Sequence, residues 1–415
     1  MYLNETEEKM LKGEFGSAPQ MAMRVLSKLG EKFGAEKMIP INCAHCILRG
    51  NYPREDPSEL EYLQKLTTMG AKVSVPTDQN PAFAGWTKED YRLIQASSQI
   101  VEIQDKCSEC MSKMGATLNY TCTPYMGGNV PRFGENIAWC ESSAVIYANS
   151  VIGARTNRYT AYLDWLIAIA GKVPAMGRHL TENRKADAII RIDPKIEEWQ
   201  DFDYASLGHF IGTSLGSDYT PVIENFPKSA QTSDLIQLGG NMATYGGISM
   251  YHIVGVTPEA RTLDYALQDN KPRDELTFDL AALKKHREQL GGEASGKVDV
   301  VVFGCPHATL AEVMKLVNLL GGRKPKAEIH LFVSRLTSQQ CEDSGLSEQL
   351  RRSGVLIFPS NCYSTGILRA KALGLEGIMT NSGKAVEFEE RQLYDMKWMF
   401  GSMKECVEAA IRGNR

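Results

Sequence analysis

Val298-Asp299-Val300-Val301-Val302-Phe303-Gly304 decides the fold. A continuous apolar, β-branched run without polar alternation is the pattern of a strand buried on both faces, as in a parallel sheet. It follows the polar stretch GGEASGK at 291–297 and leads into a helical pattern, ATLAEVMKLVNLLGG, at 308–322. The alternation then repeats. EIHLFVS (328–334) reads as a strand, a helix runs through Ser344 to Arg352, and VLIFPS (355–360) is a third strand. A helix from Thr365, the strand EGIMT (376–380) and a last helix, ECVEAAIRG (405–413), complete it. Four strands alternating with helices predict an α/β fold with a doubly wound parallel sheet over 297–412.

Upstream the pattern is less regular. Asn4 with Glu7 reads as a capping box, and Ser17 with Gln20 repeats it ahead of Met21, Val25, Leu26 and Leu29, with Gly34 ending that helix. MIPINC (38–43) and AKVSVP (71–76) read as strands around a helix, ELEYLQKLTTMG. From about 120 to 270 the chain is rich in Gly, Asn, Ser and Thr, which predicts a loop-rich region where sites tend to lie. Two units are expected: 1–290, α/β and loop-rich, and 297–412, doubly wound. The 415 residues are 43% hydrophobic and 23% charged, so fibrous and disordered classes are excluded. A net charge of −4 argues against a nucleic-acid partner. MYLNETEEKMLKGEFG has no basic or apolar leader region, and the best apolar run, Tyr162–Ala170, contains Asp164 and is far shorter than a membrane span. The expectation is a cytoplasmic protein with no membrane partner, whose ten cysteines are free or metal-bound.

In doubly wound sheets ligands bind beyond the carboxyl ends of the strands. Gly304-Cys305-Pro306-His307, Ser360-Asn361-Cys362 and Thr380-Asn381-Ser382-Gly383-Lys384 fall there. A third cysteine, Cys122, lies in Tyr120-Thr121-Cys122-Thr123-Pro124-Tyr125. These cysteines read either as small buried hydrophobes or as ligands of one shared metal or cluster site. Cys43-x-x-Cys46 and Cys107-x-x-Cys110 have zinc-like spacing, but 60 residues separate the pairs. Gly212-Thr213-Ser214-Leu215-Gly216 matches the nucleophile-elbow pattern of serine hydrolases. Its flanks do not supply the strand and helix that such an elbow needs.

Several long blocks resemble the aconitase X family. They are Glu141-Ser142-Ser143-Ala144, Ala148–Arg158 (ANSVIGARTNR), Gly127–Gly134 (GGNVPRFG), His252–Ala260 (HIVGVTPEA) and Thr380–Ala385 (TNSGKA). The resemblance implies an aconitase-like multi-domain body. It also implies that Cys122, Cys305 and Cys362 hold an iron–sulfur cluster, with one iron left without a protein thiolate; whether 4Fe-4S, 3Fe-4S or 2Fe-2S is left open. The implied activity is a hydro-lyase that removes water from a small hydroxy acid. Lys384, Glu141 and Ser142 are the catalytic candidates, with Ser142 or Glu141 as the base. Asn80, Pro81, Glu141, Ser142 and Lys384 are the substrate-contacting positions.

Family members dehydrate cis-3-hydroxy-L-proline or mevalonate 5-phosphate. Ala44-His45 resembles the hydroxyproline type. Arg49-Gly50-Asn51-Tyr52 matches the Gly-Val-Ser-Tyr-like element of the phosphomevalonate type only around its tyrosine, and Arg49, Gly50 and Asn51 are further substrate-binding candidates. Thr77-Asp78-Gln79-Asn80 departs from the usual Thr-Thr-Leu-Asn. The balance favours cis-3-hydroxy-L-proline or a related hydroxy acid, with mevalonate 5-phosphate as the alternative. The family's small swivel domain finds no counterpart in this sequence. The chain is therefore expected to be a large subunit whose partner is a separate small subunit. A non-catalytic or regulatory iron–sulfur protein is the alternative of another class.

Overall fold

The structure is a computed structural model that describes residues 1–47, 57–82, 88–387 and 396–415. Strands β1 (Met38–Pro40), β2 (Ala44–Cys46), β3 (Thr77–Gln79), β4 (Ala138–Trp139) and β5 (Lys172–Pro174) lie in the first part of the chain. β1 pairs antiparallel with β5, and β2 is the centre of a parallel sheet ordered β3-β2-β4. The Asn4–Glu7 capping box forms at the helix Glu5–Lys12. Ser17 does not cap. It is the first residue of the helix Ser17–Lys32, Gly16 occupies the cap, and the Ser17 hydroxyl donates to the Met69 carbonyl at 3.2 Å. AKVSVP is not a strand either. Its amides go singly to separate helices, Val73 to the Met114 carbonyl that ends the helix Ser98–Met114 and Ser74 to the Ala168 carbonyl of the helix Leu163–Ala170. No ladder can grow from such scattered partners, and pairing starts one residue later at Thr77.

The region expected to be loop-rich contains a second parallel sheet. Strands β6 (Ala188–Ile192), β7 (Pro221–Glu224), β8 (His252–Ile253) and β9 (Asp274–Phe278) are ordered β8-β7-β6-β9. The helices Asp203–Ser214 and Thr232–Gly246 pack against each other beside it. Their glycines hide the helical pattern yet serve the contact. A Cβ on Gly208 would overlap the Leu238 carbonyl oxygen and lie 2.8 Å from Asn241 Cβ, and one on Gly246 would lie 2.7 Å from the Gly212 oxygen. Ser214 is the exposed last residue of its helix, not the tip of a strand–helix turn, so the nucleophile-elbow reading is excluded.

The C-terminal sheet matches its sequence pattern and adds a strand. β10 (Val300–Ala308), β11 (Glu328–Val333), β12 (Val355–Pro359), β13 (Gly377–Thr380) and β14 (Lys397–Phe400) are all parallel in the order β12-β11-β10-β13-β14. β14 was not anticipated because KWMF is short and is the outermost strand of the sheet. β10 explains the decisive run. Val301 and Phe303 pack into a cluster with Val313, Leu316 and Met403 on one face. Val300 and Val302 join Phe332, Phe358 and Phe400 on the other. The strand order reverses between β10 and β13, which puts the crevice of a doubly wound sheet at their carboxyl ends. Among the described residues, no helix is long and apolar enough to cross a membrane.

The close approach of the two glycine-bearing helices is testable. On an open helix, alanine for glycine gains about 1 kcal/mol. Here the added methyl meets backbone, and we expect Gly208→Ala to lower the unfolding free energy by about 1–3 kcal/mol in chemical denaturation. A stabilised variant would show that the helices do not meet at this residue.

Candidate active site

The turn after β13 is built by its own hydroxyls. Thr380 Oγ1 donates to the Val302 carbonyl of β10 at 2.9 Å, and Ser382 Oγ donates to the Cys305 carbonyl and accepts from the Ala385 amide. Tyr245 closes the turn from the helix side, donating to the Gly383 carbonyl at 2.9 Å. These bonds aim Lys384 across the crevice. On the opposite wall, Glu141 follows β4 and caps the helix Ser142–Tyr147.

The two side chains meet. Lys384 Nζ lies 2.5 Å from Glu141 Oε1, and the residues are only 6% and 8% exposed. Ser143 Oγ donates to Oε1 at 3.0 Å and Asn80 Nδ2 to Oε2 at 3.0 Å. Ser142, partly exposed, donates from its hydroxyl to Oε1 at 3.3 Å. Burial alone would raise the Glu141 carboxyl, but the Lys384 ammonium and the bonds from Asn80 and Ser143 bring it down to about 2. Burial likewise works against the Lys384 charge, and Glu141 outweighs it, holding the ammonium above its ordinary value.

Behind Asn80 stands another buried pair. His45 Nδ1 is 2.7 Å from Asp78 Oδ1, and His45 Nε2 is 3.4 Å from Asn80 Oδ1. Asn129 adds a 3.0 Å bond to Asp78. Polar contacts thus run unbroken from Asp78 through His45, Asn80 and Glu141 to Lys384.

Three cysteines flank this line. Cys305 lies in the second half of β10, Cys122 follows Thr121, and Cys362 caps the helix Tyr363–Ala372. Burial pushes the Cys122 thiol up to about 12, with Glu141 adding to the rise and Lys384 opposing it. Burial raises Cys305 too; Lys384 pulls it back, while Cys362, Cys122 and Glu141 raise it further. The thiols therefore feel one another and the ion pair. Across an isolated bridge between Ala82 and Asn361, the Ala82 amide donates to the Ser360 carbonyl and the Cys362 amide to the Ala82 carbonyl, which fixes the Asn80-Pro81 segment against the third cysteine loop. Arg49, Gly50 and Asn51 lie outside the described residues.

Several neighbours escaped the sequence reading. Gln237 donates to the Cys305 carbonyl at 3.4 Å, and Tyr125 stacks on Tyr147 with ring centroids 3.9 Å apart. Among the described residues, Tyr125 Oη, Gln237 Oε1 and Asn361 Oδ1 are buried without a hydrogen-bond partner. Buried polar atoms are nearly always paired, so orphans gathered near three thiols mark space for a polar group. Among the described residues no three of His, Cys, Asp and Glu form a ligand set for a single ion. That overturns a zinc site at the paired CxxC motifs. Cys46, Cys107 and Cys110 pack in one apolar core, and Cys43 sits in another with Tyr125 and Trp139.

Comparison with known proteins gives the family. Models of the aconitase X first, second and third domains match residues 1–182, 186–288 and 298–412. The phosphomevalonate dehydratase large subunit of Thermococcus kodakarensis is 38% identical over 93% of this chain and 94% of its own length. This chain belongs to the aconitase X family. The cis-3-hydroxy-L-proline dehydratase of Hypocrea jecorina is 32% identical over 99% of this chain and 69% of that protein. The crystal structure of Thermococcus kodakaraensis aconitase X in its holo form superposes with a TM-score of 0.85. It is 34% identical, and the match covers 99% of this chain and 100% of that one. An aconitase X chain with dehydratase relatives at this level is an enzyme of the hydro-lyase class.

The pair's electrostatics predict an inversion. In the wild type the folded Glu141 carboxyl is depressed, so its contribution is full above its ordinary 4.5 and is lost as pH falls toward about 2. In Lys384→Met the carboxylate is buried unpaired, at a cost of about 3–5 kcal/mol near neutrality. Burial then favours the protonated form, so the deficit shrinks on acidification. Thermal melts from neutral to acid pH should show the two curves converging; parallel curves would refute the pairing.

Proposed function

We propose that this chain is the large, catalytic subunit of an aconitase X dehydratase acting on a small hydroxy acid, with an iron–sulfur cluster held by Cys122, Cys305 and Cys362. The observation that carries the reading is the meeting, in one crevice, of three thiols from distant segments, Cys305 buried and Cys122 and Cys362 half-buried, with the Glu141–Lys384 pair. The site suits a cluster better than a lone ion, since a cluster spreads its thiolates farther apart. Cys305 and Cys122 also lie within the field of the Lys384 cation, which favours thiolates. When bound, the cluster supplies an open Lewis-acid iron for the departing hydroxyl.

The protein's own groups do the rest. An incoming substrate carboxylate competes with Glu141 for Lys384 and takes part of its charge. Burial then raises the Glu141 carboxyl toward a useful base. Ser142 is the more exposed of the two and its hydroxyl donates to Glu141. Its oxygen takes the proton from the carbon beside the substrate carboxylate while its own proton passes to Glu141. The hydroxide that leaves is protonated from the same carboxyl and departs as water. Lys384 stays on the substrate carboxylate, where the enolate-like charge develops.

For the substrate, Lys384 is the cation among the donors that reach Glu141, which suits one carboxylate. With Ala44-His45 this favours cis-3-hydroxy-L-proline or a related hydroxy acid. Mevalonate 5-phosphate is the second reading, because the Thermococcus kodakarensis relative named for that activity shares 38% identity along nearly its whole length. That relative's name also supports a separate small subunit as partner. That none of the ten cysteines forms a disulfide is consistent with a cytoplasmic setting.

Two experiments test the assignment. Cys305→Ser, purified anaerobically, should lose its iron while Cys406→Ser, in the last helix, keeps it; equal iron in both would remove the cluster from this site. With the small subunit present, Ser142→Ala should keep full iron and lose about 10²–10⁴-fold in kcat on whichever hydroxy acid the enzyme dehydrates. A loaded wild-type complex that turns over neither cis-3-hydroxy-L-proline, mevalonate 5-phosphate nor related hydroxy acids would make the chain a regulatory iron–sulfur protein.

A further inference from the structure

Three thiols from segments around 122, 305 and 362 need a device that fixes their spacing before any cluster is present. We propose that His307 is that device, a positioning residue that ties the three cysteine loops together; this rests on the cluster assignment above. His307 follows Cys305 by two residues and is itself buried. Its backbone amide donates to Cys122 Sγ at 3.2 Å. Its Nε2 donates to the Asn361 carbonyl at 2.8 Å, one residue before Cys362. Because a carbonyl only accepts, Nε2 carries the ring proton and Nδ1 is the acceptor. Nδ1 lies 3.4 Å from Thr121 Oγ1, one residue before Cys122. That hydroxyl is held in turn by the Thr123 amide at 3.1 Å.

One imidazole therefore bridges residues adjacent to two of the cysteines, from a segment that bears the third. Such outer contacts around a metal site commonly matter for affinity as much as the geometry of the ligands themselves. A hydrogen bond to a ligating sulfur, as from the His307 amide to Cys122, also tunes a cluster.

The test uses the full-length chain, purified anaerobically and reconstituted with ferrous iron and sulfide. The readouts are iron and sulfide per chain, and the rate at which the visible absorbance is lost to a chelator. His307→Ala should lose the cluster about 10–100-fold faster than wild type. His307→Gln keeps a donor toward the Asn361 carbonyl and should recover part of that loss. Thr121→Val removes the Nδ1 partner, and with it the acceptor of the Thr123 amide, and should also shed the cluster faster; the melting temperature of the cluster-free chain separates this from a general loss of fold. Should His307→Ala fail to fold, the other two variants decide. Wild-type loading and wild-type loss rates in both overturn the role of His307. A wild-type chain that takes up no iron and sulfide overturns the cluster assignment and this inference together.

Discussion

The ion pair between Lys384 and Glu141 joins residues 243 positions apart and fastens the turn after β13 to the helix that follows β4. Among the described residues it is the charge–charge contact across the crevice around which the other site groups are arranged. Neither partner is tolerable alone at this burial, since an uncompensated buried charge costs several kcal/mol. Each is therefore a folding constraint on the other. The carboxylate satisfies more than the lysine: Asn80, Ser142 and Ser143 all donate to it, so three further segment positions are set by the same atom pair. The proposed redirection of Lys384 by a substrate anion rests on this pairing. A buried cation that is already neutralised can be redirected by a second carboxylate, whereas a bare one would first have to be accommodated by the fold.

The hydroxyl-rich turn Thr380-Asn381-Ser382-Gly383 shows how the sheet delivers this lysine. Thr380 and Ser382 bond to carbonyls of β10 itself, and Tyr245 reaches in from the helix Thr232–Gly246. That helix also brings Gln237 to the Cys305 carbonyl, so the middle region and the C-terminal sheet meet at one thiol loop. Gly383 has no room for a side chain beside Asn241, and Gly208 and Gly246 have none between the two helices. Close packing of small residues is what lets three parallel sheets from separate stretches of chain share a single crevice.

Legibility in the sequence followed the same physics. β10 to β13 could be read because burial on both faces leaves unbroken apolar runs, and a strand of that kind has few alternative readings. β14 and the strands β6 to β9 were obscured. KWMF is too short to stand out, and the helices that would have announced an α/β alternation are interrupted by the glycines their packing requires. AKVSVP has strand composition, but its hydrogen bonds are claimed by two separate helices. At the site, strand-end position was enough to single out Cys305, Cys362 and Lys384, while the roles of Glu141 and Ser142 came only through family blocks. Tyr125, Gln237 and Asn129 gave no signal, since a buried polar residue looks like any other until its partners are known.

Position rather than composition separates the ten cysteines. Cys46, Cys107, Cys110, Cys341 and Cys406 are packed among aliphatic side chains in continuous cores, where a thiol behaves as a small hydrophobe. Burial raises Cys406 well above its ordinary value, with Asp201 and Glu405 adding to the rise and Arg415 opposing it. Burial raises Cys305 too, and Lys384 opposes the effect there. A cation therefore accompanies both thiols; what sets Cys305 apart is the group of polar atoms around it, Gln237 Oε1 and Asn361 Oδ1 among them, left without partners among the described residues. They gather there because the strand that holds Cys305 ends at the reversal of the sheet, where backbone and side chains must turn away from regular pairing.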